Sequence, residues 1–296
     1  MRVLISGASG LIGSSLAREL AYRGAGVFRL VRRRPEDARE VALPPQGHPA
    51  QFEDFTAVIH LAGANIAAHR WTEAYKREIA ESRIQPTAKL AHVLAGLKRP
   101  PQVFLCASAI GIYGDRGEEA LAEDSPAGTG FLAETCRAWE AAAQPARDAG
   151  IRTAHMRFGV VLARKGGALD KILPVFQLGA GGRLGSGKQW MSWISLQDAI
   201  SAIAFLMEKE TIYGPVNVVA PAPVTNAEFT QLLARMLHRP AIFPVPAFAL
   251  RVALGQMAEE GLLASARVIP QKLQQAGFRF EHPQLADALS ATLKRE

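Results

Sequence analysis

The 296 residues carry 34 Lys and Arg against 27 Asp and Glu, a net charge of +7, and 49% of them are hydrophobic, a balance that fits one large core with a smaller lobe and excludes a disordered chain. No apolar run reaches the roughly 20 residues that cross a bilayer, and the chain opens straight into a strand, so no membrane partner or export is expected and a cytoplasmic location is. The basic residues are scattered without a stripe of interleaved aromatics, which excludes nucleic acid as a partner, and Cys106 and Cys136 have no CxxC spacing and read as inert thiols in a reducing compartment.

Residues 2–6 (RVLIS) are a short apolar run ended by glycine, and in the following LIGSSLARELAYRG the residues Ile12, Leu16 and Leu20 stand four apart on one helical face. The chain is therefore expected to begin strand, turn, helix. Further strands are expected at 26–31 (GVFRLV), 57–63 (AVIHLAG), 102–108 (QVFLCAS) and 152–162 (RTAHMRFGVVL), with helices between them. Such alternation predicts an α/β fold, a Rossmann-type doubly wound parallel sheet covered on both faces. The helical stretch 71–97 is interrupted by Pro86, which is expected to kink or restart it. After Leu162 the texture changes to GAGGRLGSGKQWMSW and then to elements punctuated by prolines at 215, 221, 223, 240, 244 and 246. The expected division is a nucleotide-binding domain over 1–165, to which 190–213 returns, and a smaller C-terminal substrate lobe of 166–189 and 214–296.

GASGLIG places Gly7, Gly10 and Gly13 three apart between a predicted strand and a predicted helix. Without side chains the backbone turns tightly and approaches a pyrophosphate, whose charge rests at the helix N-terminus. Gly7, Ser9, Gly10, Leu11 and Ile12 are accordingly assigned to a dinucleotide. About twenty residues on, where a carboxylate would bind an unmodified ribose, the chain reads Val31, Arg32, Arg33, Arg34. Arginine there accommodates a 2′-phosphate, a charge-assisted contact that confers about a tenfold to hundredfold preference. The expected cofactor is NADP, with Val31, Arg32 and Arg33 in its site.

GGRLGSGKQ nearly spells a phosphate-gripping P-loop, but Gln189 stands where Ser or Thr should reach magnesium and no helix follows. The seven histidines show neither HxH nor HExxH spacing, so no metal is expected. There is no GxSxG. Asp198 is expected to start the helix AISAIAFLMEK.

With these motifs in hand the chain resembles the short-chain dehydrogenase/reductase superfamily in its extended, epimerase-like arrangement, and more narrowly its sugar-nucleotide epimerase-like branch. The likeness runs through GASGLIG, HLAGANI, RWTEAYKREIAESRI, SAIGIYGDRG, FLAETCRAWEAAA, MRFGVVLARKGGAL and GSGKQWMSWISLQDAI to HRPAIFPVPAFALRVALG. It implies that Leu61 and Ala62, with Gly63 beside them, line the adenine and ribose side, and that Glu78, Arg83 and Arg157 complete the NADP site. It implies Ser108 as the group that polarises a carbonyl. The Tyr and Lys that usually move the proton fall on Phe131 and Thr135, which cannot do so. Tyr113 is the first candidate to substitute, and Trp139 and Glu140 are expected to lock their helix against the sheet. Two functions follow: an NADP-dependent oxidoreductase or epimerase-like enzyme acting on a small polar molecule, as monomer or homodimer, or a non-catalytic NADPH-binding sensor.

Overall fold

The computed structural model describes residues 1–294. In chain order the elements are β1 (Arg2–Ser6), α1 (Leu11–Tyr22), β2 (Gly26–Val31), β3 (Glu40–Ala42), β4 (Ala57–His60), α2 (Glu73–Ala95), β5 (Val103–Ala109), β6 (Ala120–Leu121), α3 (Phe131–Ala141), α4 (Gln144–Asp148) and β7 (Arg152–Phe158). There follow β8 (Val160–Leu162), α5 (Ala168–Gln177), β9 (Trp190–Met191), β10 (Trp193–Ser195), α6 (Leu196–Glu208), β11 (Gly214–Val218), β12 (Val224–Thr225), α7 (Asn226–Met236), α8 (Ala247–Leu254), β13 (Arg267–Val268) and a helix Leu285–Lys294.

Seven strands form one sheet in the order β11-β7-β5-β4-β1-β2-β3, every pairing parallel. Parallel neighbours need crossover helices on both faces, so the strands are apolar on both sides. Val3, Ile5, Ile59, Leu105 and Met156 meet α1 and α6 on one face. Leu4, Val58, Phe104 and Cys106 meet α2 and α4 on the other. This strict alternation decides below which way each polar residue of β5 and β7 points.

Three expectations change. The strand expected over 152–162 is two, broken at Gly159, where a Cβ would lie 2.5 Å from the Ser192 carbonyl oxygen; β8 leaves the sheet and pairs with β10. Residues 214–218, expected in the smaller lobe, are the edge strand β11 of the main sheet, paired with β7. Pro215 is compatible with that place because an edge strand tolerates a missing donor. The helix expected to kink or restart at Pro86 does not restart: it runs without a break from Glu73 to Ala95, and Thr87 Oγ1 donates to the Arg83 carbonyl at 2.6 Å.

The second core gathers Leu169, Leu173, Phe176, Phe229, Leu233 and Leu289 around Trp193. Ser195 Oγ caps α6 by accepting from the Asp198 N–H at 3.0 Å, as an N-cap serine does. The buried Asp198 carboxylate instead accepts from the N–H groups of Glu281 (2.7 Å) and His282 (3.0 Å), fastening the C-terminal segment.

Candidate functional site

The glycine turn between β1 and α1 has no space for side chains. Gly7 takes φ +71°, and a Cβ on Gly13 would lie 2.2 Å from the Gly7 carbonyl oxygen. Gly10 caps α1 with no side-chain acceptor, and no acidic residue occupies the first turn. The N–H groups of Leu11, Ile12 and Gly13 have no acceptor among the described residues, which leaves a row of donors at a helix N-terminus for an anion. The residues present therefore fit a pyrophosphate. Gly13→Ala is expected to weaken dinucleotide binding by at least about a hundredfold, since forfeiting two donors worth ~1.5–3 kcal/mol each exceeds that factor; calorimetric titration checks it.

At the end of β2 the arginines separate. Arg33 donates to both oxygens of the Glu40 carboxylate at 2.8 and 3.0 Å and pairs with Glu36 at 3.2 Å. Its guanidinium is thus turned to β3, and the expected cofactor contact would require it to leave Glu40. Arg32, one residue after the half-buried Val31, is exposed and has no bond among the described residues. Arg34, also exposed, likewise has no side-chain partner among the described residues, so of the three arginines only Arg33 is engaged by a carboxylate.

The loop after β4 is held from two sides. Ala62 N–H donates to Ser6 Oγ at 3.3 Å and Ala64 N–H to Ser82 Oγ at 3.1 Å. Arg83 donates to the Ala64 carbonyl (2.9 Å) and the Ile79 carbonyl (2.9 Å), stacks 5.2 Å above Trp139, and would touch a Cβ on Gly63 at 3.1 Å. It has no carboxylate partner among the described residues, and burial holds its basicity below the usual value. A half-buried cation without a counter-ion beside the loop Leu61–Ala62–Gly63 suits an anionic ligand. Glu78 is exposed on α2 without a hydrogen bond among the described residues and is not brought to Arg83.

Ser108 and Tyr113 are both turned away from solvent. Ser108 is on the α2 and α4 side of β5, 3% exposed, and its Oγ donates to Glu140 Oε1 at 2.7 Å. Its one proton is given to Glu140, so the expected polarising role would require that bond to be exchanged for one to substrate. Tyr113 is 0% exposed and its hydroxyl donates to Asn217 Oδ1 at 2.7 Å while accepting from Arg157 Nη1 at 2.9 Å. Burial pushes its pKa up, against the lowering influence of Arg157. It is a structural hydroxyl rather than an open donor. Arg157, expected at the cofactor, is instead bidentate to Glu140, Nε at 2.8 Å and Nη2 at 3.0 Å. Burial depresses its basicity, and the Glu140 contact more than reverses that.

The sequence reading placed Glu140 only as a lock for α3, and the lock is the hub of this network. Trp139 is the second lock, its Nε1 donating to Thr87 Oγ1 at 3.0 Å. Because Glu140 faces Ser108, residues four and eight earlier on α3 share its face, namely Cys136 and Leu132. Leu132 would meet a Cβ on Gly111 at 3.2 Å, and the Cys136 thiol, pushed up to about 11 by burial and by Glu140, contacts Ser108 and the Ala109 backbone. The pair facing the end of β5 is thus one residue beyond Phe131 and Thr135. Phe131 packs on Trp71 at 5.1 Å instead. None of Tyr22, Tyr75, Tyr113 and Tyr213 is followed four residues later by Lys.

Residues 3–219 match the NAD dependent epimerase/dehydratase family, and residues 245–292 a domain of unknown function, DUF1731. An epimerase family protein of Mycobacterium leprae is 42% identical over 298 residues, covering 99% of this chain and 96% of its own. The crystal structure of human epimerase family protein SDR39U1 with NADPH superposes with a TM-score of 0.93 at 32% identity, covering all of both chains. A nucleoside-diphosphate sugar epimerase from Corynebacterium glutamicum gives 0.83 at 35% identity, over 99% of this chain and 58% of that one. Enzymes acting on nucleotide sugars with NAD superpose at about 20% identity, for example MoeE5 with UDP-glucuronic acid and NAD at 0.78, and share the fold.

Proposed function

The chain belongs to the NAD dependent epimerase/dehydratase family, and from that premise we propose that it is an NADP-dependent oxidoreductase or epimerase-like enzyme acting on a small polar molecule. The free Arg32 at the end of β2 carries the choice of NADP, and the NADPH in the human relative's structure agrees with it. The open donors of Leu11, Ile12 and Gly13 would hold the pyrophosphate, and Leu61, Ala62 and Arg83 would flank the nucleoside. Bound there, the cofactor supplies hydride transfer. With Leu132 and Cys136 on the face of α3 that looks at β5, the accompanying proton comes from neither a Tyr nor a Lys of that helix.

The test of specificity is a pair of variants. Arg32→Ala is expected to lower the NADPH to NADH affinity ratio by about tenfold to hundredfold, the loss of one charge-assisted contact. Arg33→Ala is expected to leave the ratio within about twofold, because its partner is Glu40. Equal effects from both would overturn the assignment of Arg32.

The enclosure of Ser108 and Tyr113 favours a second reading, a non-catalytic NADPH-binding sensor. Oxidation of NADPH followed by its absorbance, over a panel of nucleotide sugars, aldehydes and quinones, separates the two. Turnover with any member supports the enzyme; saturable binding without turnover across the panel supports the sensor.

A further inference from the structure

α8 is an unusual helix. Seven of the eight residues in AFALRVAL are apolar, yet none is buried. Phe248 (67% exposed) and Val252 (72%) lie one turn apart on its open face, preceded by Ile242 (72%) and Phe243 (62%). The patch continues onto the end of α5. A Cβ on Gly179 would lie 3.5 Å from Pro240, and Arg239 Nε donates to the Gln177 carbonyl at 2.8 Å, which brings the exposed Val175 and Leu178 alongside. A contiguous apolar surface of this kind marks an interaction site.

Charge selects the occupant. The two segments that build the patch contain no Asp or Glu from Lys171 to Gln197 or from Phe229 to Ala258. They carry the exposed cations Lys171, Arg183, Lys188, Arg235, Arg239 and Arg251, of which, among the described residues, Arg251 alone pairs with a carboxylate, that of Glu259. Two copies meeting through this face would oppose cation with cation. An anionic lipid surface answers both features, taking the apolar side chains between its headgroups and the cations against them.

We infer that the α8 face docks the protein peripherally on an anionic lipid bilayer. No helix among the described residues is long and apolar enough to span a membrane, so the attachment is to its surface and reversible. This revises the expectation of no membrane partner and is independent of the cofactor reading.

Co-sedimentation with vesicles tests it. The full chain is expected to bind vesicles of phosphatidylglycerol and phosphatidylcholine in equal parts at least about tenfold more tightly than vesicles of phosphatidylcholine alone, and to lose that margin at high salt. Phe248→Ser with Val252→Ser is expected to abolish binding, and Arg235→Glu with Arg239→Glu to remove the preference for the anionic vesicles, both with unchanged thermal unfolding and NADPH affinity. Absence of binding to the anionic vesicles, or equal binding by the serine double variant, overturns the inference. A dimer seen by light scattering that the serine substitutions dissociate also overturns it, in favour of a second copy as the occupant.

Discussion

Glu140→Ala is expected to destabilise the fold by about 3–5 kcal/mol, the usual consequence of leaving one member of a buried ion pair alone. Arg157 extends from β7, next to the edge strand, with its side chain only 9% exposed, so its guanidinium is left largely out of water once its bidentate partner is removed. Ser108 Oγ loses its acceptor in the same step. Nη1 would keep the Tyr113 hydroxyl and the Glu123 carbonyl at 3.2 Å, while Nε and Nη2 would be orphaned. Urea unfolding of the purified variant reads the loss directly. Ser108→Ala is the informative companion. It removes one hydrogen bond to a charged group, about 1.5–3 kcal/mol, and is expected to leave NADPH affinity and any turnover within about twofold. If Ser108→Ala instead abolished turnover at unchanged stability, the hydroxyl would belong to the reaction after all. If Glu140→Ala unfolded with the parent, the buried hub would be no support of the fold.

The contrast between what the chain discloses and what it conceals follows the range of the forces involved. The glycine turn is legible because much of its requirement is local: a Cβ on Gly13 would strike the Gly7 carbonyl six residues earlier, and Gly7 itself takes φ +71°. The alternation of strand and helix is legible for the same reason. Arg32 and Arg33 are indistinguishable in sequence, because their difference is made by Glu40 on the three-residue β3, which no periodicity announces. The direction of Ser108 depends on the parity of β5 relative to two helical layers, a property of the assembled sheet. Likewise, the register of α3 hinges on Glu140 finding Arg157, 17 residues away on another element. A carboxylate nine residues after the expected proton-donor position, and so eight after Leu132, was the available signal, and it points to Leu132 rather than Phe131. Pro215 hid a seventh strand, since prolines in sequence read as loops until the strand is known to lie at an edge.

Acid is expected to unfold this protein well before its carboxylates titrate, because the sheet buries a row of groups that must stay neutral. Ser6, His60, Cys106 and His155 are successive partners across β1, β4, β5 and β7 and so project from one face. His60 shares a 2.6 Å hydrogen bond with Ser6 through Nδ1, while among the described residues its Nε2 has no partner and neither ring nitrogen of His155 has one. Burial lowers both imidazoles from 6.5 to about 4, for His155 against the raising influence of Glu140 and with a small further lowering from Arg147, Arg157 and Lys272. Between those values the unfolded chain takes up protons that the folded chain refuses, so stability is full above pH 6.5 and declines as pH falls toward 4. Each histidine contributes up to about 3 kcal/mol over that window, and the pair about 6–7, comparable with the whole stability of an ordinary domain. Glu123 works the other way, since burial raises its carboxyl and its neutral form is favoured in the fold. Urea midpoints at pH 7.5, 6.5, 5.5 and 5 are expected to fall with a limiting slope of about 2–3 kcal/mol per pH unit, a range in which exposed carboxylates remain ionised. His155→Leu is expected to halve that slope while costing little at pH 7.5, because a side chain with two unsatisfied buried nitrogens is exchanged for an apolar one of similar volume. A midpoint that held level from pH 7.5 to 5, or a variant with the parent's slope, would mean that water or a rearranged packing already reaches these rings, and the row would then be a solvated seam instead of a dry one.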